Sequence, residues 1–193
     1  MGDKMGCQVL WSFQNNLGIE HLRLMRLSDS IVAESIVVGV VNNKAFRAQY
    51  KIRCDLSWSI RDIDIRSLDN ESKPLQLRAD GKGHWRTATG TALHPLDGCI
   101  DVDISVTPFT NTLPIRRLNL SHNQSAEISV TYIVVPELEV KPIKQRYTCL
   151  NRSPDGGLYR YENLTSRYQA DLIVDEDGLV IDYPNVWRRV WFE

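Results

Sequence analysis

Two carboxylates stand two residues apart in Cys99-Ile100-Asp101-Val102-Asp103-Ile104-Ser105-Val106, a spacing that in an extended strand sets both on one face. Neighbouring carboxylates raise one another's pKa, so Asp101 and Asp103 are a candidate catalytic acid/base pair. The bland reading is that they anchor arginines and backbone amides in a polar interior. Two like charges roughly 7 Å apart along a strand are unfavourable unless cations or donors meet them. Arg116 and Arg117 follow in what reads as the next strand, pointing to opposite faces, so only one of them can share a face with the acids. With Arg146 they are also the best ligand-side candidates, because a guanidinium fork takes phosphate, sulfate or carboxylate bidentately. Their alternative role is internal ion pairing to Asp101, Asp103 or Asp62.

Other chemistries find less support. His84, His94, Cys99 and Asp101 are zinc-competent side chains, but no pair has the close ligand spacing of a metal site. Asp101-x-Asp103 and Asp62-Ile63-Asp64 resemble the metal-binding element of some glycosyltransferases, yet the nucleotide-binding α/β sheet that accompanies it there is not predicted. No G-x-S-x-G nucleophile elbow occurs, and Gly81-Lys82-Gly83 reads as a hairpin and not as a phosphate loop. No metal or cofactor is expected. Trp58, Trp85 and Tyr147 can stack on a sugar ring, wall an acyl chain or simply fill a core. Trp187-Arg188-Arg189-Val190-Trp191 reads as a closing strand or short helix over a sheet edge, with contact to a membrane surface as the alternative.

The elements that must position these residues are strands. With 193 residues and 42% hydrophobic content the chain can bury a core as one domain, residues 1–193. A net charge of −1, with no basic cluster, argues against a nucleic-acid partner. The longest apolar stretch, Ile36 to Val41, falls far short of the roughly 20 residues that span a bilayer, so no integral membrane segment is expected. The amino terminus lacks a secretory apolar segment, and Gly2 lacks the Ser or Thr that myristoylation favours. Cys7, Cys54, Cys99 and Cys149 form no C-x-x-C pair and read as reduced thiols of a cytoplasmic protein. In such a protein Asn119-Leu120-Ser121 and Asn163-Leu164-Thr165 would not meet the glycosylation machinery.

Period-two alternation predicts strands at Val9 to Gln14, Leu22 to Leu27, Ile31 to Val41, Ala45 to Leu56, Trp58 to Arg66, Leu75 to Arg78 and Gly83 to Thr87. They continue at Cys99 to Val106, Ile115 to Leu120, Ala126 to Val135, Lys144 to Cys149, Tyr159 to Tyr161, Arg167 to Val174 and Leu179 to Tyr183. Gly18 to Leu27 also admits a helical turn. Asp80-Gly81, Asp155-Gly156 and Asp177-Gly178 supply the positive-φ residues that tight hairpins demand. The class is therefore all-β: a long antiparallel meander that must curl into a roll or partly closed barrel, because a wide open sheet accumulates twist and exposes its edges. The proline-stiffened Thr107 to Pro114 belongs at a sheet end or edge, where Thr110, Asn111 and Thr112 would line a rim.

Four segments carry a resemblance: Gly98-Cys99-Ile100-Asp101-Val102-Asp103; Thr107-Pro108-Phe109-Thr110-Asn111-Thr112-Leu113-Pro114-Ile115-Arg116-Arg117-Leu118; Gln145-Arg146-Tyr147; and Asp177-Gly178-Leu179-Val180 with Tyr183-Pro184. In these, across nearly the whole chain, the sequence resembles the bacterial family of putative glycolipid-binding proteins. The resemblance implies a rolled meandering sheet similar in shape to bacterial lipoprotein and glycolipid carriers. The expectation is non-catalytic binding of a glycolipid or other amphipathic molecule in the concave interior of the sheet. Apolar walls would hold the hydrophobic part. Thr110, Asn111, Thr112, Arg116, Arg117, Gln145, Arg146, Tyr147, Trp58 and Trp85 are the candidate contacts. The alternatives are an enzyme acting on a sugar or lipid conjugate, which would bring Asp101 and Asp103 to one open cleft with at least one unpaired, and an interaction module with its apolar patch outside.

Overall fold

The computed structural model describes residues 6–15, 17–69 and 73–193; Gly2, weighed above, lies outside the described residues. Alternating apolar and polar residues form β1 (Gly6–Phe13), β2 (Gly18–Arg26), β3 (Ile31–Val41), β4 (Lys44–Cys54), β5 (Ile60–Ser67), β6 (Leu75–Ala79) and β7 (Trp85–Thr87). The second half supplies β8 (Cys99–Ile104), β9 (Ser125–Val134), β10 (Glu139–Ser153), β11 (Gly156–Asn163), β12 (Tyr168–Asp175), β13 (Val180–Tyr183) and β14 (Trp187–Phe192). All fourteen join one sheet in the order β7-β6-β5-β4-β3-β2-β1-β14-β13-β12-β11-β10-β9-β8. Two consecutive meanders thus meet where β1 pairs with β14. The terminal Trp187 to Trp191 segment is a strand as expected, but it lies in the middle of the sheet and covers no edge.

The sheet curls without closing by a ladder. Its two edges meet where the Trp85 indole on β7 donates to the Cys99 carbonyl of β8 at 2.6 Å, beside a backbone bond from Gly98 to the Gly83 carbonyl. One core runs through the curl. Trp11, Trp85, Trp187, Tyr50 and Phe109 are fully buried in it, and Phe13 stacks on Trp187 at 3.8 Å between centroids. The expected hollow is therefore filled with side chains, which corrects the placement of a ligand in the concave interior. Packing at close to crystalline density is what stabilises a roll of this size.

Locally, one strand expectation holds over its helical alternative and another is corrected. Gly18 to Arg26 is extended throughout, with Leu22 and Leu24 inward and His21 and Arg23 outward, so period two prevails over the helical turn. Ile115 to Leu118 is not strand. A 3₁₀ turn (Phe109–Asn111) leads into a helix, α1 (Thr112–Leu118). The reason is topological: β8 pairs with β9 in parallel, and parallel neighbours need a crossover connection. Pro114 sits in the first turn of α1, where its missing N–H costs nothing, and Asn119 ends the helix at a left-handed φ of 46°. Leu113 and Ile115 join the core, so the crossover plugs the curl.

Glu20 sits on the inward face of β2 with no exposed surface. Its Oε1 accepts from the Tyr50 hydroxyl at 2.6 Å, Ser35 Oγ at 2.7 Å and Thr107 Oγ1 at 2.9 Å, tying β2, β3 and β4 to the segment after β8, while Oε2 has no partner among the described residues. Burial pushes the carboxyl up to about 7, against the three donors. Below about pH 4.5 the group is neutral folded or unfolded, so burial carries no charge penalty. Between there and about pH 7 the unfolded chain gives up the proton that the folded chain keeps, so stability falls as pH rises, by about 3 kcal/mol in all. Glu20→Gln is expected to flatten this decline, measured as urea unfolding free energies at pH 5 and pH 8; an unchanged difference would show that Glu20 is not its source.

Candidate functional site

The two acids of β8 part company. The strand carries a bulge between Cys99 and Asp101 in its pairing with β9, and Asp101 is fully buried. Arg117 in the last turn of α1 grips it bidentately, Nε to Oδ1 at 2.9 Å and Nη2 to Oδ2 at 2.6 Å. Burial pushes the Asp101 carboxyl up, and the guanidinium opposes that push. Asp103, half-buried, meets only neutral donors: Thr110 Oγ1 at 3.2 Å and Gln145 Nε2 at 2.7 Å. Burial pushes its carboxyl up to about 6. Asp101 is saturated, and Asp103 opens onto a different pocket, so the two share no cleft of the kind acid/base catalysis by the pair requires.

Most of the candidate contacts are inside. Thr110, Asn111 and Thr112 are buried, and Asn111 also borders the pocket onto which Asp103 opens. Thr112 Oγ1 donates to the Gly178 carbonyl at 2.8 Å, and the Tyr147 hydroxyl donates to Asn111 Oδ1 at 2.9 Å. These bonds fasten the crossover into the core, while Gln145 and Trp85, both buried, hold β8 through Asp103 and the Cys99 carbonyl. Arg146 points the other way from Gln145 and Tyr147 and pairs with Glu127 and Glu162 on the outer surface. His84 and His94 face Asp80 and Asp97 in exposed turns. Among the described residues no cluster of three or more His, Cys, Asp or Glu can hold a metal ion.

Trp58, Arg116 and Arg117 do converge. They line an open cleft of about 700 Å³ where the end of α1 meets the β4–β5, β10–β11 and β12–β13 connections. Each wall has a local cause. Asp55 Oδ1 accepts the N–H groups of Ser57 and Ser59 at 2.9 and 3.0 Å, an Asx-type turn that presents Trp58 at a φ of 67°. Gly178, at a φ of 75°, allows the stem of Arg116 to pass; an added Cβ would meet Arg116 Cδ at 3.0 Å. The Arg116 guanidinium then lies 5.4 Å from the centre of the Trp58 ring and donates to the Glu176 carbonyl at 3.1 Å.

Two further arginines complete the cleft. Arg26 closes β2, and Arg152, near the end of β10, donates to Asn119 Oδ1 at 2.7 Å. Among the described residues none of Arg26, Arg116 and Arg152 has a carboxylate partner, whereas Asp175 in the same lining is paired with Arg189. Among the described lining residues, Glu176 and, in the adjoining annex, Asp177 stand against these three guanidiniums, so the cleft keeps an electropositive balance. A smaller annex of about 170 Å³ shares Arg26, Trp58 and Arg116 and continues between Leu24, Ile31 and Cys7, with Asp177 also in its lining. Charged hooks therefore open directly onto an apolar wall. Sequence reasoning missed Arg26 and Arg152, because each is one cation at a strand end and only the sheet order brings them together.

The chain belongs to the family described as putative glycolipid-binding, which matches residues 8–189. It is similar to a DUF1089 family protein from Pseudomonas aeruginosa with a crystal structure at 1.80 Å resolution: 42% identity, a TM-score of 0.79, and coverage of 90% of this chain and 92% of that one. No curated protein matches it. No helix among the described residues is long and apolar enough to cross a membrane.

Asp101→Asn is expected to destabilise the fold by about 3–5 kcal/mol in urea denaturation at pH 7, because it strands a largely buried guanidinium. A loss below about 1 kcal/mol would mean that Arg117 swings out to solvent, and that the pair does not hold the helix.

Proposed function

We propose that this member of the glycolipid-binding family binds, without chemistry, an amphipathic molecule with an anionic head, at the open end of the roll. The head group sits among Arg26, Arg116 and Arg152, and its apolar part lies along Trp58 into the annex between Leu24 and Ile31. The observation that carries this reading is the junction itself: of three guanidiniums that have no carboxylate partner among the described residues, two, Arg26 and Arg116, also wall a largely apolar recess. Charge-assisted hydrogen bonds to phosphate, sulfate or carboxylate orient the head, and removal of apolar surface from water supplies about 25 cal/mol per Å² for the rest. A glycolipid with an acidic head fits both requirements, and so does a phospholipid. The family description supports the lipid class.

Native mass spectrometry of protein purified from its own host tests for a retained lipid, and thermal unfolding with dihexanoyl phosphatidic acid tests the head-group chemistry. Arg116→Ala is expected to lower affinity for that probe about tenfold, equivalent to about 1.4 kcal/mol, while shifting unfolding free energy by less than that. Equal losses of affinity and stability would make Arg116 structural. Absence of any co-purifying lipid together with no shift of the melting temperature would overturn the reading.

A further inference from the structure

At the other end of β11, β12 and β13 lies a pocket of opposite character. Tyr168 and Val174 bound the two sites on β12, six residues and so about 20 Å apart. Tyr161, Tyr168 and Tyr183, one from each strand, converge with ring centroids 6.3, 6.3 and 6.4 Å from one another, beside a space of about 210 Å³. Tyr161 and Tyr183 are buried and hold position, whereas Tyr168 is 42% exposed at the mouth. Asp103 reaches the same space. Gln145, which donates to Asp103 at 2.7 Å, also donates to the Tyr161 hydroxyl at 3.2 Å and so locks acid and ring together.

The electrostatics of this pocket are one-sided. No Lys, Arg or His is among its described lining residues, and every hydrogen-bond donor to the Asp103 carboxylate is neutral. A carboxylate has room for further donors at both oxygens. The negative faces of the tyrosine rings add to its field. On Tyr132, itself a lining residue, the sheet already uses this attraction, with Lys141 Nζ 5.9 Å from the ring centre.

We propose that this pocket is a binding site for a small organic cation, a methylated or alkylated ammonium group seated against Tyr161, Tyr168 and Tyr183 with Asp103 as its counter-charge. The site is separate from the arginine cleft and stands whether or not that cleft takes a lipid. A neutral polyol of similar size would satisfy the hydroxyls but leave the carboxylate uncompensated. A bare inorganic cation would leave the ring faces without methyl or methylene contacts.

NMR of the full chain with labelled tyrosine rings, titrated with choline chloride, sodium chloride and methyl β-glucoside at matched concentrations, tests the proposal. Choline is expected to give saturable shifts of the Tyr161, Tyr168 and Tyr183 signals that neither control reproduces. Affinity is expected to fall at least tenfold in Tyr168→Ala and in Asp103→Asn, and to be unchanged in Arg116→Ala. Tyr168 is the exposed member of the trio, so its variant decides the matter even where Asp103→Asn fails to fold. Equal shifts with sodium chloride, shifts with the glucoside alone, or choline binding undiminished in Tyr168→Ala would each overturn the proposal and leave the tyrosines as packing only.

Discussion

The grip of Arg117 on Asp101, a carboxylate with no exposed surface that an unpaired burial would make costly, is the contact on which the rest of this molecule turns. Arg117 stands in the last turn of α1, so the pair pins the end of the crossover to the edge strand β8. Residues one apart on a helix point about 100° apart, so fixing Arg117 toward the strand sends Arg116 into the cleft. The same anchorage drives Leu113 and Ile115 into the curl, and Thr112 and Asn111 onto Gly178 and Tyr147. An apolar pair of similar volume could match its stability, but would not carry the directional fork that sets the helix rotation.

Filling the curl moves the open volume to the two rims. There the strands β11 to β13 carry opposite chemistry at their two ends: an excess of guanidiniums beside Gly178, and tyrosines with a carboxylate met by neutral donors beside Tyr183. The net charge of −1 conceals this separation, because it sums charges that the sheet sorts by position.

Much of the scaffold was legible in the residues. Alternation located most strands, Asp-Gly pairs marked the tight connections, and the argument that paired acids demand arginine foresaw the partner of Asp101. The helix was not legible because Ile115-Arg116-Arg117-Leu118 fits either period over so short a run; what decides it is the parallel pairing of β8 with β9, a non-local fact. The same limit hid the rim chemistry. Thr110 to Thr112 look like surface residues by type, yet their hydroxyl and amide groups are satisfied inside. Glu20 alternates onto an apolar face where only Tyr50, Ser35 and Thr107, brought together by tertiary structure, make it tolerable.

The seam between β1 and β14 governs the order in which this architecture can be made. Across it the Trp11 indole donates to the Val180 carbonyl over a sequence separation of 169 residues, and Gln14 reaches the Trp187 carbonyl over 173. Contacts this distant cost loop entropy before they return anything, which slows folding. During synthesis the first meander must wait with one side of β1 unpaired until β14 emerges from the ribosome. In that interval it presents an open sheet edge, and shielding that edge falls to whatever meets the nascent chain.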